Sequence, residues 1–233
     1  MLYICPSRGR PDNVVRLAQA WGETRTYADL LIALDEDDPE LQGYLTALLA
    51  YVEEHPLATW LEWAVRPRMR LGGTLNYWAT DIGYLEHYSI IGFLGDDHVP
   101  RTHGFDARIK SAMDSMGGTG VVYGNDLLQG QNLPTAVAIS SNVIQALGYM
   151  VPPGMVHLWI DNAWGAMGKA MERYSYLPDV IIEHLHPAGG KAEWDERYVE
   201  VNSGAVWDAD ETAYKAWMED GTYRAVLRKL VGG

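Results

Sequence analysis

The sequence predicts an α/β fold in which helices on both sides flank a mostly parallel central sheet. Short apolar segments alternate with segments of helical periodicity, and polar residues follow each apolar segment. The segment from residue 90 to 94 is apolar without polar alternation, as expected for a strand buried on both faces. A length of 233 residues, 48% of them hydrophobic, supports one sizeable core.

Helices are predicted where apolar residues recur every three to four positions, and strands where short apolar runs end in polar turns. In order, the first half contains a strand at 2–5, a helix at 12–21, a strand at 27–34, a helix at 40–54, a strand at 60–65, a helix at 74–88 and a strand from 90. The second half contains helices at 105–116, 141–148, 161–173 and 211–230, and strands at 120–123, 135–139 and 180–184. Asp12 and Thr74 are the expected N-caps of their helices. No repeat or linker interrupts this order, so a single domain over 1–233 is predicted.

Composition narrows the class of protein. The net charge of −13 argues against broad binding to nucleic acid, which requires clustered Lys and Arg. The single Cys5 excludes an intrachain disulfide and fits a reducing cytoplasm. No apolar stretch is long enough to span a membrane and the N-terminus lacks a signal pattern, so we expect a cytoplasmic protein with no membrane partner.

The run Asp96-Asp97-His98 follows the buried strand that begins at residue 90. Ligands of parallel sheets bind outside the carboxyl ends of the strands. Carboxylates suit a hard divalent cation that carries phosphate oxygens, and an imidazole suits manganese. We therefore predict Mn²⁺ or Mg²⁺ beside a phosphorylated substrate at this edge, the competing interpretation being an acidic surface turn.

Four further patterns carry chemistry. Residues 6–10 follow the first strand and precede a helix N-terminus, where free backbone N–H groups favour anions. Gly72 and Gly73 permit close approach of a ligand or form an ordinary turn. His184 and His186 share one side of an extended segment, either as metal ligands or as structural residues. Asp161 or Asn162 opens a predicted helix, and Asp161 is its N-cap, a base or both.

The order of these motifs resembles a GT-A fold glycosyltransferase of the family 2 type over about residues 1–190. Small, Trp-rich members of similar appearance occur in bacteriophages that infect actinobacteria. The resemblance implies one GT-A (Rossmann-like) domain with a nucleotide-sugar-binding half at 1–100, an acceptor-side half at 101–200 and a C-terminal helical extension at 201–233. It also implies a nucleotide-diphosphate sugar donor, a divalent metal and transfer of one sugar to an acceptor hydroxyl.

The resemblance also assigns roles to individual residues. The metal ligands it implies are Asp97, His98 and His184, with His184 preferred to His186. The family's common Asp-any-Asp motif is Asp-any-His here, as in polypeptide N-acetylgalactosaminyltransferases, and whether Asp97, His98 or both bind the metal directly stays open. The donor-binding residues it implies are Pro6, Ser7, Arg8, Arg10, Asp35, Gly73, Asn76, Asp96 and Lys191.

Asp161 is the residue expected to take the proton from the acceptor hydroxyl in an inverting transfer. The family usually has two acids here, and Asn162 replaces one of them. If the enzyme retains configuration, Asp161 orients the acceptor instead.

The acceptor and two other classes of function stay open. The resemblance suggests a UDP-sugar of hexose type and, as acceptor, a phage virion protein, a modified DNA base or a small molecule, acted on in the host cytoplasm if the protein is phage-encoded. One alternative is a non-catalytic carbohydrate-binding or virion-associated module with a lectin-like surface of Trp. The other is a sugar-nucleotidyltransferase, which is expected to have a Gly-rich basic loop where this chain has only Gly9.

Overall fold

The strands form one mixed sheet. The computed structural model describes residues 1–24 and 26–232, with the backbone alone at 196 and 197. Its strands in this part of the chain are β1 (Leu2–Ser7), β2 (Asp29–Asp35), β3 (Leu61–Arg66), β4 (Ile90–Phe93), β5 (His98–Pro100), β6 (Val121–Asn125), β7 (Val137–Ser140) and β8 (Tyr174–His184). Their spatial order is β3-β2-β1-β4-β7-β6-β8-β5.

The first four strands of this order form a parallel half-sheet. Leu2 of β1 lies opposite Asp29 of β2 on one side and Ile91 of β4 on the other. β2 also pairs in parallel with β3. Because the carboxyl ends of these strands meet at one edge, Ser7, Asp35 and Phe93 end close together there.

The prediction of a mostly parallel sheet is wrong for the second half. β7 runs antiparallel to both β4 and β6, and β5 runs antiparallel to β8, whereas β6 and β8 are parallel. The physical reason is the connection between β6 and β7, which contains a short 3₁₀ turn (Gly130–Asn132) and no crossover helix. Parallel neighbours need a crossover, and a direct connection returns the chain antiparallel.

The helices cover both faces of the sheet, which confirms the α/β prediction. They are α1 (Pro11–Glu23), α2 (Leu41–Glu54), α3 (Arg70–Ala79), α4 (Ile82–His87), α5 (Phe105–Ser115), α6 (Ser141–Leu147), α7 (Ile160–Met171), α8 (Glu196–Val201), α9 (Gly204–Asp220) and α10 (Thr222–Val231). Strand alternation separates two cores: Leu2 and Ile4 pack with α3, α6 and α7, while Tyr3 and Cys5 pack with α1, α2 and α5.

Two predicted helices are each divided in two. The helix predicted at 74–88 begins at Arg70, so Thr74 is a buried interior residue and not a cap. It ends before Asp81, whose carboxylate accepts hydrogen bonds from the N–H groups of Gly83 and Tyr84 and starts α4. Gly221, with φ +65°, divides the helix predicted at 211–230 into α9 and α10.

Within the described residues, none of the helices combines the length and the apolar character that a membrane span requires.

Candidate active site

A cavity of about 480 Å³ opens at the carboxyl ends of β1, β2 and β4. Its walls include residues from the loops that follow these strands, from the start of α7, from the end of β8 and from α8. They are Pro6, Ser7, Arg8, Arg10, Ala33, Asp35, Arg70, Leu71, Thr74, Phe93, Gly95, Asp96, Asp97, His98, Gln129, Leu133, Thr135, His157, Leu158, Trp159, Asp161, Asn162, His184, His186, Tyr198, Val201, Asn202 and Trp207.

Asp97, His98 and His184 form a cluster in this cavity. β5 pairs with β8 so that His98 lies opposite His184, and the two imidazole rings stack at 4.1 Å between centroids. Asp97 Oδ1 lies 3.2 Å from His98 Nδ1, and Asp97 Oδ2 lies 3.3 Å from His184 Nε2. One ligand atom from each residue falls within 4.8 Å of the others, the spacing that a metal ion requires.

The charges of this cluster favour a cation. Burial lowers the pKa of His184, but the carboxylates of Asp126 and Asp97 outweigh it and raise this pKa to about 9. Burial likewise opposes the ionisation of Asp97, yet His184 and His98 hold its pKa well below the usual value. Burial and the charge on His184 lower the pKa of His98. At neutral pH the cluster therefore holds a proton on His184 between two carboxylates, and a metal ion would replace it.

A second layer of polar contacts orients the imidazoles. The N–H of Gly95 donates to His98 Nδ1 at 3.0 Å, which leaves His98 Nε2 facing Thr135 Oγ1 at 3.5 Å. Thr135 Oγ1 donates to Asp126 Oδ2 at 2.8 Å. The other oxygen of Asp126 accepts the backbone N–H groups of residues 128–130. This chain of bonds fixes the His98 ring and the Asp126 carboxylate together.

The residues present fit a divalent metal. Asp97 supplies an oxygen and His184 supplies Nε2, a donor set that suits Mn²⁺. His184 Nδ1 is buried and has no hydrogen-bond partner among the described residues, with Asp126 Oδ2 at 3.8 Å. Metal-bound imidazoles generally direct their second N–H to a carboxylate, which is the place of Asp126. His98 is the weakest ligand of the three because Gly95 already donates to its Nδ1.

The loop after β1 contacts the first acid of the motif. Ser7 Oγ donates to Asp96 Oδ2 at 2.5 Å, and Arg10 Nη1 lies 3.4 Å from Asp96 Oδ1. Burial and the charge on Asp97 raise the pKa of Asp96 to about 6. Arg8 bonds the carboxylates of Asp35 at 3.1 Å and Asp37 at 2.6 Å. The predicted donor residues at 6–10, 35 and 96 therefore share one wall.

α8 covers this wall through contacts that the sequence did not indicate. Tyr198 donates its hydroxyl to Asp97 Oδ2 at 2.8 Å. Arg10 lies over the Tyr198 ring at 3.8 Å and binds both oxygens of Asp195 at 2.8 Å. These partners lie beyond the stretch that carries the motifs, and they show no pattern that would indicate a role.

Asp161 stands in the first turn of α7, at the cavity wall. The helix begins at Ile160 after Trp159, which adopts a left-handed φ of +62°, so Asp161 is not the N-cap. Burial raises the pKa of Asp161 to about 7; the charge on His184 opposes this rise and that on Asp126 adds to it. No described residue donates a hydrogen bond to its carboxylate, which is therefore free to accept a proton.

Three predicted donor residues lie outside the cavity wall. The amide of Asn76 bonds the backbone of Met150 and Val151, which fixes the turn after α6. Lys191 pairs with Glu183 at 2.8 Å. Gly73 is inside α3, where an added Cβ would approach the Met69 side chain at 3.0 Å. His186 does line the cavity, and its Nδ1 accepts the N–H of Ala188.

The structure resembles solved glycosyltransferases. A mannosyltransferase from Pyrobaculum calidifontis in complex with GDP-Man and Mn²⁺ aligns with 97% of this chain and 73% of its own, at a TM-score of 0.52 and 12% identity. Glucosyl-3-phosphoglycerate synthase from Mycobacterium tuberculosis in complex with Mn²⁺, UDP-glucose and phosphoglyceric acid aligns with 92% of this chain and 79% of its own, at a TM-score of 0.58 and 10% identity. TarS 1–349 from S. aureus in complex with UDP aligns with 78% of this chain and 58% of its own, at a TM-score of 0.52 and 12% identity.

The chain has the GT-A fold. Identities this low establish the shared fold, and the activity has to be argued from the residues of the site. The sequence itself matches no family model and no curated protein.

Proposed function

We propose that this protein is a metal-dependent glycosyltransferase that moves a sugar from a nucleotide-diphosphate donor to an acceptor hydroxyl. The observation that carries the proposal is the shared cavity: the Asp97, His98 and His184 cluster and the carboxylate of Asp161 line the same space. This space lies at the carboxyl edge of the parallel half-sheet, where ligands of such sheets bind. The complexes of the GT-A neighbours with Mn²⁺ and nucleotides support the same use of the fold.

The chain's own residues divide the work between the two sides of the cavity. Ser7, Arg8, Arg10, Asp35 and Asp96 would bind the donor nucleotide and its diphosphate from the β1 and β2 side. A divalent cation held by Asp97 and His184, with His98, would supply positive charge to the departing diphosphate.

Asp161 would act on the acceptor side of the cavity. Its carboxylate would take the proton from the acceptor hydroxyl as the new bond to the anomeric carbon forms. A pKa near 7 places this base close to the optimum for proton transfer at neutral pH.

The finer features of the proposal rest on the resemblance in the sequence. We propose an inverting transfer of a hexose from a UDP donor, with the donor bound by residues 1–100, the acceptor by 101–200, and 201–233 as a helical extension. Gly73, Asn76 and Lys191 stay proposed donor contacts that would require movement toward the cavity. The proposed acceptors are a phage virion protein, a modified DNA base or a small molecule in the cytoplasm.

The tryptophans do not favour the carbohydrate-binding alternative. Trp194 and Trp207 are the exposed tryptophans in the part of the chain that the structure describes, and Trp207 belongs to the cavity wall. Trp21 and Trp164 are fully buried core residues. A lectin-like surface needs several exposed rings on one face, and these positions do not supply it.

The test is thermal unfolding with UDP and with GDP, each with and without Mn²⁺. A nucleotide that needs Mn²⁺ should raise the Tm by roughly 5–10 °C at about a hundredfold excess over its Kd. Asp97→Asn should abolish the shift, whereas Asp208→Asn, an exposed position on α9 outside the cavity, should retain it. No shift with either nucleotide, or an undiminished shift in Asp97→Asn, would refute the proposal.

A further inference from the structure

A second cavity of about 370 Å³ adjoins the candidate active site. The two cavities share Leu133, Asp161 and Asn162, so Asp161 forms part of the boundary between them. α7 supplies one wall of the second cavity, and α9 and α10 supply the opposite wall. A molecule in the second cavity would therefore meet Asp161 from a space that the metal cluster does not line.

The second cavity is basic in a strongly acidic protein. Lys169, Arg224 and Arg228 line it, and Asp161 is the one carboxylate among the described residues that line it. The chain as a whole has 31 acidic residues against 18 basic ones. A local excess of cations in such a chain indicates a site for an anion.

These three cations have no carboxylate partner among the described residues. Arg224 contacts the Met218 sulfur at 3.9 Å and the Tyr223 ring at 5.1 Å. Lys169 lies 5.7 Å from the centre of the Tyr174 ring. Most other described cations do pair with acids: Arg8, Arg10, Arg68, Arg70, Arg101, Arg108, Lys110, Lys191 and Lys215. The charge of the second cavity is thus left available for a ligand.

We propose that the acceptor is a small molecule whose phosphate or carboxylate group binds Lys169, Arg224 and Arg228 in the second cavity. This inference rests on the proposed glycosyltransferase function and names its acceptor class. With its anionic group held there, the acceptor presents a hydroxyl to Asp161. Its oxygen bonds the anomeric carbon, its proton passes to Asp161, and the bond to the nucleoside diphosphate breaks with the electron pair leaving on the phosphate oxygen.

Shape and charge favour a small acceptor over a nucleic acid. A cavity of this volume accommodates a compact molecule, and Tyr174, Tyr214 and Tyr223 supply ring surfaces for its carbon skeleton. Arg residues bind phosphate and carboxylate with paired, charge-assisted hydrogen bonds. A DNA duplex requires a wide basic surface, which a net charge of −13 opposes.

The first experiment measures anion binding without any donor, by calorimetry with inorganic phosphate and with glycerol 3-phosphate. The double variant Arg224→Gln/Arg228→Gln should weaken binding at least about tenfold, because it removes two charge-assisted contacts. Lys229→Gln is the matched control, since Lys229 is exposed on the same helix and does not line the cavity. Lys169→Gln, on α7, tests the opposite wall independently of any change in α10. Unchanged binding in both variants would overturn the inference.

The second experiment separates this inference from the proposed function. Mn²⁺-dependent nucleotide binding should be equal in the wild type and the double variant, while sugar transfer to glycerol 3-phosphate should fall in the variant and transfer to glycerol should not. Nucleotide binding together with absent phosphate binding would refute the anionic acceptor and leave the glycosyltransferase. Phosphate binding without any nucleotide binding would refute the acceptor role. Loss of binding to a DNA duplex in the double variant, with phosphate binding unchanged, would favour a nucleic-acid acceptor.

Discussion

Replacing Asp161 by Asn should stabilise the protein at high pH while it slows the proposed sugar transfer. Burial raises the pKa of this carboxyl from 3.8 to about 7. The folded state therefore holds the proton more tightly than the unfolded state, and stability falls as the pH rises between these two values. Asn keeps the shape of the side chain and removes the ionisation.

The magnitude follows from the shift in pKa. A rise from 3.8 to about 7 corresponds to roughly 4 kcal/mol in favour of the neutral form. Because the side chain is partly exposed, solvent screening reduces the expected effect to about 1–2 kcal/mol. The free-energy penalty of ionising the buried carboxyl is absent below the unfolded pKa and complete above the folded one. Asp161→Asn should therefore gain this amount at pH 8 and roughly two-fifths of it at pH 5.

Urea denaturation at pH 5 and pH 8 measures the difference in the free energy of unfolding. Asp12→Asn is the matched control, because Asp12 is exposed and occupies the same second position of its helix, where the helix dipole acts equally. A gain in Asp161→Asn that is the same at both pH values, or a loss at pH 8, would refute the reasoning.

Activity provides the second half of the test. At pH 8, kcat/KM should fall by about 10²-fold or more in Asp161→Asn, with Mn²⁺-dependent nucleotide binding unchanged. In the wild type, kcat/KM should rise as the pH passes through about 7, because the base acts only when deprotonated. Loss of nucleotide binding in the variant would contradict a role on the acceptor.

Three further substitutions test the metal cluster, the loop before α7 and the sheet. Asp97→Asn should weaken Mn²⁺ binding about 100-fold or more by calorimetry, and an unchanged affinity would place the metal elsewhere. Asp210→Ala leaves the backbone N–H groups of residues 156–158 without their acceptor. The free energy of unfolding in urea should fall by about 2–4 kcal/mol, and kcat should fall as well. A variant as stable as the wild type would show that water replaces the carboxylate. Gly92→Ala puts a Cβ 2.5 Å from the Tyr3 ring and should lower the free energy of unfolding by about 2–3 kcal/mol. Gly204→Ala is the control and should leave stability unchanged, because nothing lies within 4 Å of the added Cβ. Equal effects of the two substitutions would contradict close packing at β4.

The parallel half of the fold was predictable because its signals are local. Apolar runs at β1, β2 and β4 end in polar residues, and the rule for carboxyl ends then brings Ser7, Asp35 and Asp96 together. The antiparallel position of β7 was not predictable in the same way. The direct connection sets β7 antiparallel to β6, but the pairing of β7 with β4 depends on a contact between distant segments, and no residue in 137–140 indicates it.

The sequence predicted which residue types form the candidate site, but it did not predict all the residues that contact them. Asp97, His98 and His184 stand out as residue types that bind metals, and the structure brings them together. Tyr198 and Asp126 contribute through contacts made across the fold, and neither belongs to a motif. Asn76 shows the converse case: its residue type and position predict a donor contact, and in the structure its side chain bonds the backbone of a turn.

The pairing of β5 with β8 has a consequence for biogenesis. Asp97 and His98 are separated from His184 by α5, β6, β7, α6, α7 and most of β8, so the cluster exists only after the sheet has closed at its far edge. Contacts between such distant segments form late, because the chain must first lose the entropy of the intervening loop. Affinity for the proposed ion would therefore report that β8 has closed on β5, and a nascent chain would not complete this site until β8 has left the ribosome.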